Sequence, residues 1–374
     1  MKRKPRFHPE AIYIERGAEA APLARRVLRN CPDVPRRTVG GPRELDGILA
    51  DADDPVGKGK RVLFLALQRG AFVKPCPCTP RYIGCGYLTI NNVLNCPLDC
   101  TYCILQLYLG SRPLTVFADL EPLWKELDRL LARTAGRFVR LGTGELSDSL
   151  ALDHLTETCG EFVSYFRSRP RALFELKTKT TAVEGLLRCR PAENIVVSWS
   201  LNPPAVVRAD ERGAASALAR LAAAREVCRR GFGVGFHFDP LVLFPGWEEA
   251  YGRLIEALFR SVPAGRLRWL SLGSLRFPPP LKGIIERRFP TSRLIHAELL
   301  PGRDGKLRYF KPLRLELYRK VTAMIRDAGG KSVPLYFCME DSEVWERVLK
   351  WRPRRKAEIE LSLSPRSVDS KSTF

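Results

Sequence analysis

The 374-residue chain has no apolar run approaching the ~18 residues a membrane-spanning helix needs. Its N-terminus, residues 1–7, is basic and no apolar h-region follows, which argues against a secretory signal. No internal repeat of fixed period occurs, so a solenoid is not expected. Acidic residues are in deficit: 41 Asp and Glu stand against 62 Lys and Arg, a net charge of +21. Such an excess suits a polyanionic partner, although a surface simply filled with arginine gives the same number. Apolar residues are not scarce. At 45% hydrophobic and 28% charged, the chain can bury a sizeable core, which excludes disorder over its whole length. The length fits one large domain, two small ones or a single α/β barrel.

Eleven cysteines fall at positions 31, 76, 78, 85, 96, 100, 103, 159, 189, 228 and 338. The odd count and the missing secretory signal point to a reducing, cytoplasmic compartment. Clustered cysteines are therefore read as metal ligands before disulfides.

Short apolar runs predict strands over 62–67, 87–93, 138–142, 173–176, 195–200, 234–238 and 267–272, with a late one over 333–338. Amphipathic stretches predict helices over 21–28, 43–50, 120–134, 153–167, 183–187, 214–230, 247–260 and 342–351, the last with Asp341 as N-cap. From residue 86 strands and helices alternate, the pattern of a parallel sheet with helical crossovers. Six such units predict an open, partial (β/α)6 barrel in an α/β fold. The expected organisation is an N-terminal extension (1–85) packed on the barrel (86–300). Small hairpin and helix elements (301–351) and a mobile basic tail (352–374) follow.

The sharpest feature is Cys96-Pro-Leu-Asp-Cys100-Thr-Tyr-Cys103, spaced C-x3-C-x2-C. A structural zinc site wants a fourth ligand, usually from a second pair, and no second C-x2-C pair exists. Three thiolates can instead hold three irons of a four-iron cluster and leave the fourth open to a ligand.

In barrels of this kind chemistry gathers where strands end. Gly142-Thr-Gly144-Glu145-Leu-Ser147-Asp148 follows the second strand, Lys177-Thr-Lys179 the third, and Ser200 and Asn202 the fourth. His237 and Asp239 follow the fifth, and Ser274 and Arg276 the sixth. Together they predict a polar pocket above the barrel. Lys306, Arg308 and Tyr309 combine charge with an aromatic, as a DNA-facing hairpin would, or an ordinary solvated loop.

The cysteine spacing resembles the radical S-adenosylmethionine (SAM) superfamily. That resemblance implies a 4Fe-4S cluster on Cys96, Cys100 and Cys103 and SAM as cofactor. It implies an electron from the cluster that cleaves SAM to a 5′-deoxyadenosyl radical. It further implies Tyr102 against the adenine, Gly144, Glu145 and Ser147 at the SAM amino group, and Lys179 and Ser200 as ligands of carboxylate and ribose. His237, Asp239, Arg276, Lys306, Arg308 and Tyr309 are the expected substrate or nucleic-acid contacts.

A closer resemblance runs from about residue 8 to 350. Cys76-Pro-Cys-Thr79, Tyr82, the cysteine loop through Gln106, Leu146-Ser-Asp148, Asp153-His-Leu-Thr156, Thr178-Lys179 and Trp199-Ser-Leu-Asn202 carry its first half. Gly246-Trp247 with Tyr251, Gly305-Lys306, Cys338-Met-Glu340 and Val344-Trp345 carry the rest. These are similar to the spore photoproduct lyase family, which implies repair of an ultraviolet thymine dimer in DNA and a reducing partner such as flavodoxin or ferredoxin. Two departures stand out. Proven members carry a hydrogen-returning cysteine at the position of Glu145, and a tyrosine at the position of Ile104. Cys338 and Cys159 are the candidate substitutes, and Glu145 and Cys338 the candidate catalytic groups.

Three functions remain open on the sequence. One is a lyase acting on a base lesion. The second is a radical SAM enzyme with another substrate: RNA, peptide or metabolite. The third is a non-enzymatic, metal-containing nucleic-acid-binding protein.

Overall fold

A computed structural model describes residues 6–79, 81–134, 137–354 and 356–363. Two sheets organise it. The larger has eight strands, and its parallel part follows chain order: Leu88–Ile90, Val139–Gly142, Ala172–Thr178, Ile195–Ser200, Gly233–Leu241, Leu267–Ser274 and Leu335–Phe337. Val73–Pro75 closes one edge antiparallel to Leu88–Ile90. These are the six expected β/α units plus the late strand, curled into a partial barrel. Ile195–Ser200 is buried along its whole length, as a parallel strand covered on both faces must be.

Crossover helices start and stop on local signals. Ser216 caps Ala217–Arg230 by accepting the Ala219 amide at 3.3 Å, and Gly231 ends it in the left-handed region at φ 111°. Asp341 caps Ser342–Leu349 through the Val344 amide at 3.1 Å, as expected. The single helix expected over 153–167 is two, Asp153–Thr156 and Thr158–Arg167, because Glu157 adopts φ 52° between them.

The second sheet runs Arg36–Val39, Ala11–Glu15, Val62–Ala66, Leu114–Phe117, Val93–Leu94. It takes strands from both sides of residue 85, so the N-terminal segment is woven into the barrel's first connection. Val93–Leu94 and Leu114–Phe117 pair antiparallel, Val93 opposite Val116. Everything between them, the cysteine loop included, is one excursion whose two feet stand in this sheet.

A third, three-stranded antiparallel sheet joins Arg276–Phe277, Leu307–Tyr309 and Leu299–Pro301, giving the expected hairpin. The expected mobile tail is folded at its start: Lys356–Ser362 is helical, and Ile359 and Leu363 join the core. Residues 364–374 of that tail lie outside the described residues. Among the described residues no helix is long and apolar enough to cross a membrane.

Candidate active site

A cavity of about 290 Å³ opens at the C-terminal ends of the barrel strands. Cys96, Cys100 and Cys103 line it together with Tyr102, Gly144, Glu145, Ser147, Asp148, Lys177, Lys179 and Ser200. Asp239, Arg276 and Lys306 line it as well. Residues more than 200 positions apart thus share one wall.

The cysteine loop is held from several sides. Asp99–Cys100 pairs antiparallel with Glu211–Arg212. The Gln106 side-chain amide donates to the Cys100 and Thr101 carbonyls at 3.2 and 2.9 Å. Arg288 donates to Gln106 and to Asp99 at 3.0 and 3.1 Å. Burial pushes the Cys96 thiol up to about 12, and pushes Cys100 up as well. Both are therefore neutral in the bare protein and give up protons when metal binds. No disulfide joins any of the eleven cysteines.

The donor set fits an iron–sulfur cluster. Three soft sulfurs stand on one cavity wall. Among the described residues no three Cys, His, Asp or Glu side chains gather tightly enough for a single ion.

The loop after the second strand approaches the third strand closely. A Cβ on Gly144 would stand 2.5 Å from Lys177 Cβ, so only glycine fits there. Asp148 pins this loop. Its carboxylate accepts the Leu150, Ala151 and Lys179 amides at 3.0, 2.9 and 2.7 Å and the Thr178 hydroxyl at 2.7 Å. Burial raises its pKa against those four donors.

Two of the expected SAM contacts carry an internal partner. Glu145 forms an ion pair with Lys177. Burial pulls the Lys177 ammonium down, but Glu145 and Glu175 outweigh it and its pKa rises. Lys179 donates to the Tyr102 hydroxyl at 3.1 Å and to Glu211 at 3.2 Å. Glu211 also binds Arg220 and accepts Asn202 at 3.1 Å. Against the opposing effect of burial, Lys179 and Arg220 hold its carboxyl well below the ordinary range. Glu211 and Arg220 were not singled out from sequence; Asp148 was, within its loop, and it serves as the loop's clamp. Glu211 sits in a weakly patterned stretch, and only the fold brings it beneath Tyr102.

Four expected contacts are placed elsewhere. His237 is buried under the cavity, 2.7 Å from Glu175, which also binds Arg140 at 2.8 Å and Ser198 at 2.6 Å. It is a barrel-interior group and does not line the wall. Arg308 is 1% exposed, bound to Asp304 at 2.8 Å and stacked 4.1 Å over the Tyr82 ring. Tyr309 is equally buried, its hydroxyl accepting the Leu243 amide at 3.1 Å. Neither is presented to DNA, because the hairpin turns these two side chains inward. Cys338 stands behind the wall, 3.3 Å from Arg276, which clamps Asp239 at 2.9 and 3.2 Å. Burial pushes the Cys338 thiol well up. The Cys76 thiol stands in the field of Glu145, Cys85 and Lys177, and burial raises it too.

A partial parallel barrel whose mouth carries three thiols, beside a glycine loop locked by a buried carboxylate, defines a radical SAM enzyme. A family profile for spore photoproduct lyase matches residues 7–312. A spore photoproduct lyase of Geobacillus sp. is 30% identical over 294 residues, 77% of this chain and 84% of the relative. That of Bacillus subtilis is 28% identical over 202 residues, 53% of this chain and 59% of the relative. A solved spore photoproduct lyase mutant with bound AdoMet and dinucleoside spore photoproduct superposes with a TM-score of 0.77 at 26% identity. It covers 89% of this chain and 99% of that one. The chain belongs to the spore photoproduct lyase family.

Proposed function

We propose that this protein is a radical SAM lyase that reverts a spore-photoproduct-type thymine lesion in DNA, reduced by a small flavodoxin- or ferredoxin-like donor. The observation that carries this is the single cavity shared by the cysteine trio and the Asp148-locked loop, in a chain of this family. When bound, the cluster supplies the electron that cleaves SAM to the adenosyl radical.

The chain's own residues do the rest. The backbone of Gly144–Ser147 and the Glu145 carboxylate receive the methionine ammonium, while Lys179 and Ser200 face its carboxylate and ribose. The Tyr102 ring, fixed through its hydroxyl by Glu211, abuts the adenine. Arg276, paired with Asp239, and Lys306 place cationic donors on the substrate side, which suits a phosphate-flanked base. A lesion inside a duplex reaches such a cavity only when the base is splayed out of the stack. Glu145 has no hydrogen atom to give. Cys338, behind the wall against Arg276 and protonated, is the thiol we assign to hydrogen return, which requires Arg276 to move aside: its S–H bond breaks as the product C–H bond forms, and the unpaired electron is left on sulfur. The rival reading with another substrate rests on Glu145 and Ile104 standing where proven members carry a cysteine and a tyrosine; the non-enzymatic metal protein has no observation of its own.

The test is incubation of anaerobically reconstituted protein with SAM, reductant and lesion-bearing DNA. Recovered thymine supports the lyase. SAM cleavage without any thymine, on that DNA, overturns it. In Cys338→Ala, SAM cleavage continues while thymine recovery falls at least tenfold; an unchanged recovery removes Cys338 from the cycle.

A further inference from the structure

The cysteine loop rests on a buried lysine from the other sheet. Lys60 is 3% exposed and follows the helix Pro55–Gly59, just ahead of the strand Val62–Ala66. Its ammonium donates to the Cys96 and Leu98 carbonyls at 3.1 and 3.0 Å and to the Asn95 side-chain oxygen at 3.4 Å. The Asp99 carboxylate stands off at 3.9 Å and is already bound by Arg288 at 3.0 Å.

The surroundings are built around this contact. Asn95 takes φ 67° and uses both ends of its side chain. Its oxygen accepts the Cys96 amide at 2.8 Å, and its nitrogen donates to the Arg112 carbonyl at 2.7 Å. Gly59, next to Lys60, lets the chain meet residues 111 and 112; a Cβ there would stand 2.4 Å from the Ser111 carbonyl. Lys60, Asn95 and Gly59 thus tie together the two ends of the excursion that carries the trio. The Leu98 amide meanwhile hydrogen-bonds the Cys96 thiol, and Lys60 holds the carbonyls on either side of that amide.

A buried ammonium is an expensive way to satisfy two carbonyls. A well-packed apolar side chain of similar volume is often as stable or more so in such places. Its positive charge, however, acts on anything anionic bound by Cys96 through a medium of low dielectric. Iron–sulfur potentials follow net charge, hydrogen bonds to sulfur and exposure. Adding an electron makes the cluster more negative, so a fixed positive charge beside it favours the reduced state.

We propose that Lys60 is a positioning residue that raises the reduction potential of the cluster held by Cys96, Cys100 and Cys103 and sets the posture of the loop. This rests on the radical SAM reading of the same site. It places redox tuning in the N-terminal sheet, outside the barrel that performs the chemistry.

The test uses full-length protein, reconstituted without oxygen, as Lys60→Gln, Lys60→Met and Lys60→Arg beside wild type. Midpoint potential is followed by the paramagnetic signal of the reduced cluster, together with iron per chain and thermal unfolding of the metal-free form. Gln keeps N–H donors on a side chain one atom shorter and has no charge. The expected result is a lower midpoint potential in Lys60→Gln and Lys60→Met with iron retained, and a potential near wild type in Lys60→Arg. If Lys60→Met fails to fold, Lys60→Gln decides alone. Equal potentials in Lys60→Gln and wild type overturn the inference, even if iron content or melting temperature changes. A wild-type protein that binds no iron and sulfide instead overturns the radical SAM reading beneath it, so the two failures are distinct.

Discussion

The Asp148 carboxylate accepts the Lys179 backbone amide at 2.7 Å, fastening the loop after the second barrel strand to the exit of the third. The same carboxylate takes the Thr178 hydroxyl and two amides of its own loop. Hydrogen bonds to a charged group contribute about 1.5–3 kcal/mol each. Asp148→Ala therefore weakens SAM binding by about tenfold to a hundredfold, read by titration of SAM into the reconstituted protein. Unchanged affinity would mean that the loop keeps its shape without the clamp.

Replacing any one of Cys96, Cys100 or Cys103 by alanine removes most of the iron and abolishes SAM cleavage. Cys159 is the control. Its thiol donates to Asp153 at 2.8 Å and does not line the cavity. Cys159→Ala keeps both iron and cleavage and loses stability only. Iron and sulfide analysis beside a cleavage assay checks the four variants together.

The metal-free protein should lose stability in alkali. Burial raises Cys96 from the ordinary thiol value of 9.0 to about 12 in the folded chain, so the unfolded chain releases that proton first. The stability contributed by the protonated thiol is complete below about pH 9 and declines as pH rises toward 12. Urea midpoints measured from pH 8 to 11 fall more steeply in wild type than in Cys96→Ala. Parallel slopes would show that the buried thiol is not the cause.

Below the cavity, Glu175 neutralises Arg140, and both are 1% exposed. Burial opposes ionisation of Glu175, but Arg140 and His237 hold its carboxyl well below the ordinary range. Glu175→Gln leaves a buried guanidinium without its counter-charge. The cost is about 3–5 kcal/mol of unfolding free energy, measured by denaturant titration. A change below about 1 kcal/mol would mean that Arg140 finds other relief, for instance over the Trp269 ring at 4.4 Å.

Much of this architecture is legible in the sequence because it is local. The apolar run Ile195–Ser200 forms a strand at the expected bounds, and Asp341 caps the helix that its position predicts. The cysteine trio announces itself by spacing, and Gly144 by its place in the loop after a strand. What stayed hidden is pairing across the fold. Nothing near His237 in the chain names Glu175 as its partner, 62 residues away on a different strand. Arg308 and Tyr309 looked like a nucleic-acid surface because an arginine beside a tyrosine is equally good for stacking outward or packing inward. Asp304 and Tyr82 decide the matter, and their approach depends on the hairpin's twist. Arg36–Val39 was missed because its charged start carries no apolar signal, although the strand pairs with Ala11–Glu15.

The antiparallel pair Val93–Leu94 and Leu114–Phe117 has a consequence for anyone shortening the chain. Leu114–Phe117 leans in register on Val62–Ala66, so trimming the first seventy residues would strip the neighbour from one leg of the loop that carries the sulfurs. The front of the protein is scaffolding for the iron centre, and a minimal barrel cut free of it would be expected to lose its metal before it lost its fold.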